Sequence, residues 1–293
     1  MTTQAEVTTV PATRTRRRGR VGRTSPWVYI GLTLVSLVSL YPLYFVFVIA
    51  TRSMDALNSP TPTWLPGGEF FNNFSKALER DNVHFWKGMI NSIIVSSVVT
   101  VSVVLTSTLA GFAFAKLKFR GRNVLMLVIL LTMMVPTQLG LIPLWGMMQQ
   151  WGLVYDIWAV ILPFLTSAFG VFLMRQYTLS TVPDELIEAA RVDGCTTFRM
   201  WYSVVLPSVA PGAAVLALLT FMEQWNNYLW PRAVLSPENP TLQVTLGYIS
   251  YTYYTDYSMV FAALLVAILP LILAVLFFGK QIIGGIMEGA VKA

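Results

Sequence analysis

Charge is what this sequence has least of. Only 12% of its 293 residues are Asp, Glu, Lys or Arg, against about 25% in soluble globular domains. The one cysteine, Cys195, excludes an internal disulfide and reads as a small apolar filler. With one histidine, His84, and no cysteine cluster, no metal-ligand spacing exists. The phosphate-cradling pattern GxxxxGK(S/T) is missing, since Gly279-Lys280 is followed by Gln281. ATP hydrolysis by that route is therefore excluded for this chain. No HExxH, no GxSxG and no paired carboxylates inside an apolar run occur either. The expectation is no catalytic, metal or cofactor site, and a membrane enzyme is disfavoured.

What the chain has is apolar length. It is 55% hydrophobic with a mean hydropathy of +0.63. Six stretches are long enough to cross a hydrocarbon core of ~30 Å as helices. They fall at about 26–50, 88–115, 123–145, 154–178, 207–230 and 258–279. The sequence therefore predicts an all-α polytopic membrane protein with six transmembrane helices. Residues 1–25 are expected to form a disordered basic tail without large apolar residues, 26–280 the membrane domain and 281–293 a second tail. Residues 51–87 are polar and broken by Pro60, Pro62 and Pro66, with a short surface helix expected between Asn72 and Phe85. In the second span Ser107, Gly111 and Ala115 recur every four residues, which suits a closely packed neighbour. Pro136 and Pro143 should kink or end the third span.

The distribution of Lys and Arg orients the chain. With both termini inside, 15 of the 20 basic residues lie on the inner side and five on the outer. Arg14, Arg16, Arg17, Arg18, Arg20 and Arg23 precede the first apolar run and read as a topology signal facing lipid, not as a nucleic-acid site. That run is longer than the core of a cleaved signal peptide. Both termini and the segment between the fourth and fifth spans are accordingly expected in the cytoplasm.

That segment, Ser180 to Pro211, is the most informative. Thr181 with Asp184 fits a capping box, and Asp184 and Glu185 suit the positive end of a helix. Leu186 to Val192 gives a short helical body that Gly194 is placed to stop. A second helix is expected from Thr196 to Val205, ended by Leu206-Pro207, which open the fifth span. Near the far end of that span lies Phe221-Met222-Glu223-Gln224-Trp225-Asn226-Asn227-Tyr228-Leu229-Trp230-Pro231. Glu223 lies sixteen residues beyond Pro207, about 24 Å along a helix. An acid at that depth is a candidate for the permeation path, together with Gln224, Trp225, Asn226 and Asn227. For Trp225, Tyr228 and Trp230 two readings stand: interface anchors, favoured, or stacking platforms for a sugar. Tyr248, Tyr251, Tyr253, Tyr254 and Tyr257 crowd the last outer loop and read as an interface belt, the alternative being a contact surface for a partner protein or a solute.

Glu188-Ala189-Ala190, Asp193-Gly194 and Leu206-Pro207 at this spacing resemble the cytoplasmic "EAA" loop of binding-protein-dependent ABC importer permeases, the MetI-like superfamily. Cys195 stands where that family commonly has alanine. The fifth-span Trp225-Asn226…Leu229-Trp230-Pro231 and the end Gly289-Ala290-Val291-Lys292 are similar to permeases of carbohydrate type, such as those for maltose or glycerol phosphate. The resemblance covers about 88–293. It implies a coupling helix that docks on an ATPase subunit through Glu188, Ala189, Ala190, Arg191, Asp193 and Gly194, tied to the fifth span by Leu206 and Pro207. It further implies a second permease chain, two ATPase subunits that bind the ATP and Mg, and an extracytoplasmic binding protein. The solute would be a sugar, oligosaccharide or polyol, moved by alternating access into the cytoplasm of a bacterium. An ion-coupled carrier, or an ABC permease for a non-carbohydrate solute, is the alternative.

Overall fold

The computed structural model describes residues 25–59, 64–81, 83–250 and 256–279. The basic tail, Tyr251, Tyr253, Tyr254 and the C-terminal Gly289 to Lys292 lie outside these. The chain divides into two units between Phe45 and Val46, each taken by itself. Helix α1 is Pro26–Ala50, and most of it makes up the described part of the first unit.

In the second unit, short helices α2 (Met54–Leu57) and α3 (Phe70–Leu78) precede the long α4 (Phe85–Lys116). Then follow α5 (Arg122–Met133), a 3-10 turn, α6 (Leu141–Gln150), α7 (Trp158–Ile161), a second 3-10 turn and α8 (Ala168–Thr181). Next come α9 (Asp184–Val192), α10 (Thr197–Met200), a π-helical stretch Trp201–Val205, α11 (Leu206–Ser208) and α12 (Ala210–Trp225). Three helices close the order: α13 (Leu229–Val234), α14 (Leu242–Ser250) and α15 (Tyr257–Ala267). There is no strand among the described residues. Four helical stretches are each long and apolar enough to cross a membrane: Pro26–Ala50, Phe85–Lys116, Trp158–Thr181, which includes α7, a 3-10 turn and α8, and Tyr257–Gly279. Two bent pairs pass the same test together, which gives up to six where each pair is one span.

The centre of the second unit is α4, which packs most extensively on α8 and α12. The small-residue stripe explains the first of these contacts. Ser107 is fully buried, and a Cβ on Gly111 would stand 2.8 Å from the backbone of Met174 and Arg175. Gly170 returns the fit from α8, since a Cβ there would meet Ser107 Oγ at 2.3 Å. Association inside a membrane depends on such close approach, because lipid tails remove the hydrophobic driving force between helices. At the other end of α4, Asn91 Nδ2 donates to Asn239 Oδ1 and to the carbonyl of Pro240 at 3.0 and 2.7 Å. Ser92 Oγ accepts from the Leu242 N–H at 2.9 Å. These bonds fix the start of α14 against α4.

Two expected spans are not continuous helices. The stretch 123–145 becomes two arms, Arg122–Met133 and Thr137–Gln150, at 89° to each other. Proline explains the break: Pro136 has no N–H to donate and pushes Val135 out of the helical region. Pro143 does not end anything, because it occupies the first turn of α6, where an N–H needs no partner. In the stretch 207–230, Thr197–Ser208 meets Ala210–Trp225 at 81°. Leu206 and Pro207 therefore complete the short arm and do not open the crossing helix. Pro207 would collide with the carbonyl of Ser203 in a regular α-helix. The chain widens into the π-helical stretch Trp201–Val205 just before it, and that relieves the collision.

Candidate functional site

The segment between α8 and α12 is built by local chemistry. α9 begins after Pro183, whose extended backbone acts as N-cap without a side-chain bond. The expected capping box is thus absent, since Thr181 still belongs to α8. A proline before the first turn fixes the entry instead. The helix ends as expected at Gly194, with φ +75°. The Cys195 N–H reaches the Ala190 carbonyl at 2.9 Å, and the Gly194 N–H reaches that of Arg191 at 3.0 Å. This pair of bonds is the Schellman arrangement, which needs a left-handed residue at that point. Thr196 Oγ1 then accepts from the Arg199 N–H at 3.3 Å and starts α10.

One face of α9 is committed inward. Ile187 and Ala190 are buried in a cluster with Val182, Met200, Trp201 and Val205. Ala190 is only 6% exposed, so it does not offer a close approach to another molecule, contrary to expectation. A helix of this length can bury one face only, and Ala190 shares that face with Ile187 three residues before it. The outward face carries Glu188, Ala189, Arg191 and Val192, the last 87% exposed, followed by the exposed Asp193. Phe198 and Tyr202 extend it as exposed aromatics beyond the turn.

Asp184, expected only as a helix-end residue, ties α9 to the bundle. Asp184 Oδ1 meets Lys116 Nζ at 2.5 Å, the one ion pair among the described residues. Lys116 is 6% exposed there, at the last turn of α4. The hydrogen bond and charge of Lys116, backed by Lys118, hold the Asp184 carboxyl below the usual carboxylate range. The available signal was the run Lys116, Lys118, Arg120 and Arg122 without any acid among them.

The second group of expected residues lies at the far end of α12, and the structure splits it. Glu223 and Asn226 are exposed and Asn227 is half-buried. Asn226 caps the helix, with Nδ2 donating to the Met222 carbonyl at 2.8 Å. Its Oδ1 accepts from Gln243 Nε2 at 3.4 Å. Trp225 and Trp230 are each 2% exposed. Trp225 stacks on Phe221, and Trp230 Nε1 donates to the Ala159 carbonyl at 3.0 Å. Neither indole is an interface anchor or a platform for a sugar. The cause is the turn after Trp225, which folds the chain back into α13 and turns both rings onto helices of the same unit. Gln224 is buried, and its Oε1 has no hydrogen-bond partner among the described residues. On α14, Tyr248 lies under Arg232, whose guanidinium is 4.9 Å from the ring centre and donates to Tyr248 Oη at 3.0 Å.

Residues 104–283, which contain both groups, match the family described as binding-protein-dependent transport system inner membrane component. The chain belongs to that family. Its relatives among characterised permeases span nearly its whole length. The arabinooligosaccharides transport system permease protein AraQ of Halalkalibacterium halodurans is 32% identical over 277 residues, covering 92% of this chain and 99% of the relative. The sn-glycerol-3-phosphate transport system permease protein UgpE of Salmonella typhi is 30% identical, covering 93% and 98%. Among solved structures, a chain of a bacterial ABC transporter involved in the import of the acidic polysaccharide alginate superposes with a TM-score of 0.74 at 25% identity. That match covers 87% of this chain and 94% of the other. This permease thus has the helical architecture of its family, with α9 held between its fourth and fifth membrane segments.

Proposed function

We propose that the chain is one of two permease subunits in an ATP-driven importer, and that it admits a sugar, oligosaccharide or polyol to the bacterial cytoplasm. α9 is its coupling helix. Two ATPase subunits bind ATP and Mg and dock on Glu188, Ala189, Arg191 and the turn at Asp193-Gly194. An extracytoplasmic binding protein delivers the solute to the opposite end, near Glu223, Asn226 and Asn227. Both termini lie in the cytoplasm of a multi-pass inner-membrane protein. Closing of the motor subunits moves the α9 arms, and the cavity alternates between the two sides.

The observation that carries this reading is the two-faced α9. One face is packed on its own bundle, while an exposed Val192 and Ala189 stand beside charged residues at the end where the basic residues gather. Val192 is not alone: Leu186, Phe198 and Tyr202 are exposed on the same segment, and several apolar side chains left in the open beside charges suit a docking surface. The carbohydrate class rests on what AraQ, UgpE and the alginate transporter carry.

The single cysteine makes the test direct. With Cys195→Ala as background, Ala189→Cys should cross-link to a nucleotide-hydrolysing subunit, and Ala190→Cys, on the buried face, should label poorly. Failure of Ala189→Cys to capture any such neighbour in intact membranes would sink the docking role. Uptake that survives loss of the ATPase and collapses with the membrane potential would point to an ion-coupled carrier instead.

A further inference from the structure

The loop between α4 and α5 lines a hollow that no residue of α9 borders. The hollow, of about 540 Å³, is lined by Lys118, Phe119, Gly121, Arg122, Asn123 and Val124. Its lining holds two cations and no carboxylate. Lys118 and Arg122 also border a smaller hollow of about 290 Å³ against α9, where Asp184 and Glu188 supply the acids. The two basic side chains therefore form a wall with compensating charge on one side only. α5 starts at Arg122 without a side-chain cap, so its first N–H groups add donors near the open side.

We propose that this hollow binds the phosphate of an anionic phospholipid headgroup, with Lys118 and Arg122 as its charged contacts. The depth of the site selects a lipid over a free anion. α4 has 32 residues, about 48 Å at 1.5 Å per residue. A hydrocarbon core takes only ~30 Å of that, and the headgroup layers bring the total to ~40–45 Å. The end of α4 and the loop after it thus stand among headgroups. From the hollow, α5 runs away with Val124, Leu125, Leu127, Val128 and Leu131 all exposed. Those side chains suit acyl chains below a phosphate held at Arg122. A soluble anion would make no use of them.

The test is native mass spectrometry of the full chain, purified in detergent and titrated with phosphatidylglycerol, phosphatidylcholine or inorganic phosphate in separate arms. Phosphatidylglycerol should be retained in preference to phosphatidylcholine. Lys118→Gln with Arg122→Gln should weaken that retention by roughly thirtyfold, at about fivefold for each neutralised cation. Lys118→Arg with Arg122→Lys should keep it, and Lys76→Gln, an exposed cation of α3, should have no effect. Equal retention of the two lipids by the unaltered chain overturns the proposal whatever the variants do. So does a double Gln variant that binds like Lys76→Gln, or inorganic phosphate that displaces phosphatidylglycerol at matching concentration. The outcome is independent of whether α9 docks a motor.

Discussion

Gly194 allows the backbone role of the α9 turn to be separated from the docking role proposed for it. Its φ is +75°, and a Cβ built there meets nothing within 4 Å. Substitution therefore creates no clash within the chain, and its intrinsic cost is that of holding an L-residue in the left-handed region. That cost is about 1–2 kcal/mol for alanine and less for asparagine, whose side chain tolerates the conformation. The expected order of stability is Gly, then Asn, then Ala, then Val. For a chain of this size about 1 kcal/mol moves Tm by at most roughly 2–4 °C, so Gly194→Ala should lie a few degrees below the parent in a detergent melt. Gly194→Asn and Gly194→Asp are nearly isosteric, and both should insert normally. Asp adds a negative charge to a turn that already ends in Asp193, so it alone should uncouple ATP hydrolysis from uptake more than its stability explains. An alanine variant as stable as the parent would refute the strain argument. Equal uptake by the Asn and Asp variants would show that charge at this turn does not reach the motor.

Four other expectations can be tested with the same preparation. Gly111→Ala drives a methyl to 2.8 Å from the α8 backbone, which cannot yield as a side chain could; a loss of about 1–3 kcal/mol is expected, read as a lower Tm. Gln224→Met replaces a buried amide whose oxygen is unpartnered, and relief of that penalty, worth ~1–3 kcal/mol, should hold or raise Tm while uptake falls if the amide meets solute during the cycle. Glu223→Ala should change the apparent affinity for solute with little change in Tm, because the side chain is exposed; parental transport kinetics would reduce it to a helix-end residue. Asp184→Asn should abolish an acid sensitivity. A carboxyl whose pKa is lowered by Lys116 in the fold contributes its stability in full above the ordinary Asp value, and that contribution fades as pH falls through the lowered one. The parent should therefore lose stability in that acid window relative to the variant, and parallel curves would exclude the ion pair as the cause.

The membrane segments were legible because apolar length is a strong signal. The stripe Ser107-Gly111-Ala115 was legible as a contact face, but not which helix would fill it. Bends were less readable. Pro136 and Pro143 have the same chemistry, yet only Pro136 breaks the chain, since Pro143 falls in a first turn whose N–H groups have no acceptor within the helix. The aromatic run from Trp225 to Trp230 was misread for a related reason. Composition places Trp at an interface, but a three-residue turn after α12 directs Trp225 and Trp230 into packed surroundings. Which face of α9 points inward was equally hidden, because Ala189 and Ala190 differ only by the 100° step between neighbours on a helix.

That inward face changes how a push on α9 is carried. A lever joined to α12 only through Leu206 and Pro207 would deliver its motion to α12 alone. Here Ile187 and Ala190 are packed with Met200, Trp201 and Val205, so α9 and the arm from Thr197 to Ser208 share one core and move together. Asp184 fastens the start of α9 to Lys116 on α4, and α4 in turn lies against both α8 and α12. The bend at Val209 offers no loose joint either, because that residue is fully buried. Under the docking proposed above, force applied at Ala189 would reach α12 along the chain and also through α4, and the ends of these helices beside α9 would respond as a packed body. Packed interiors shift between discrete arrangements and do not deform smoothly. Breaking the Asp184–Lys116 tie should on this account weaken coupling without abolishing it, since the covalent route through Pro207 remains.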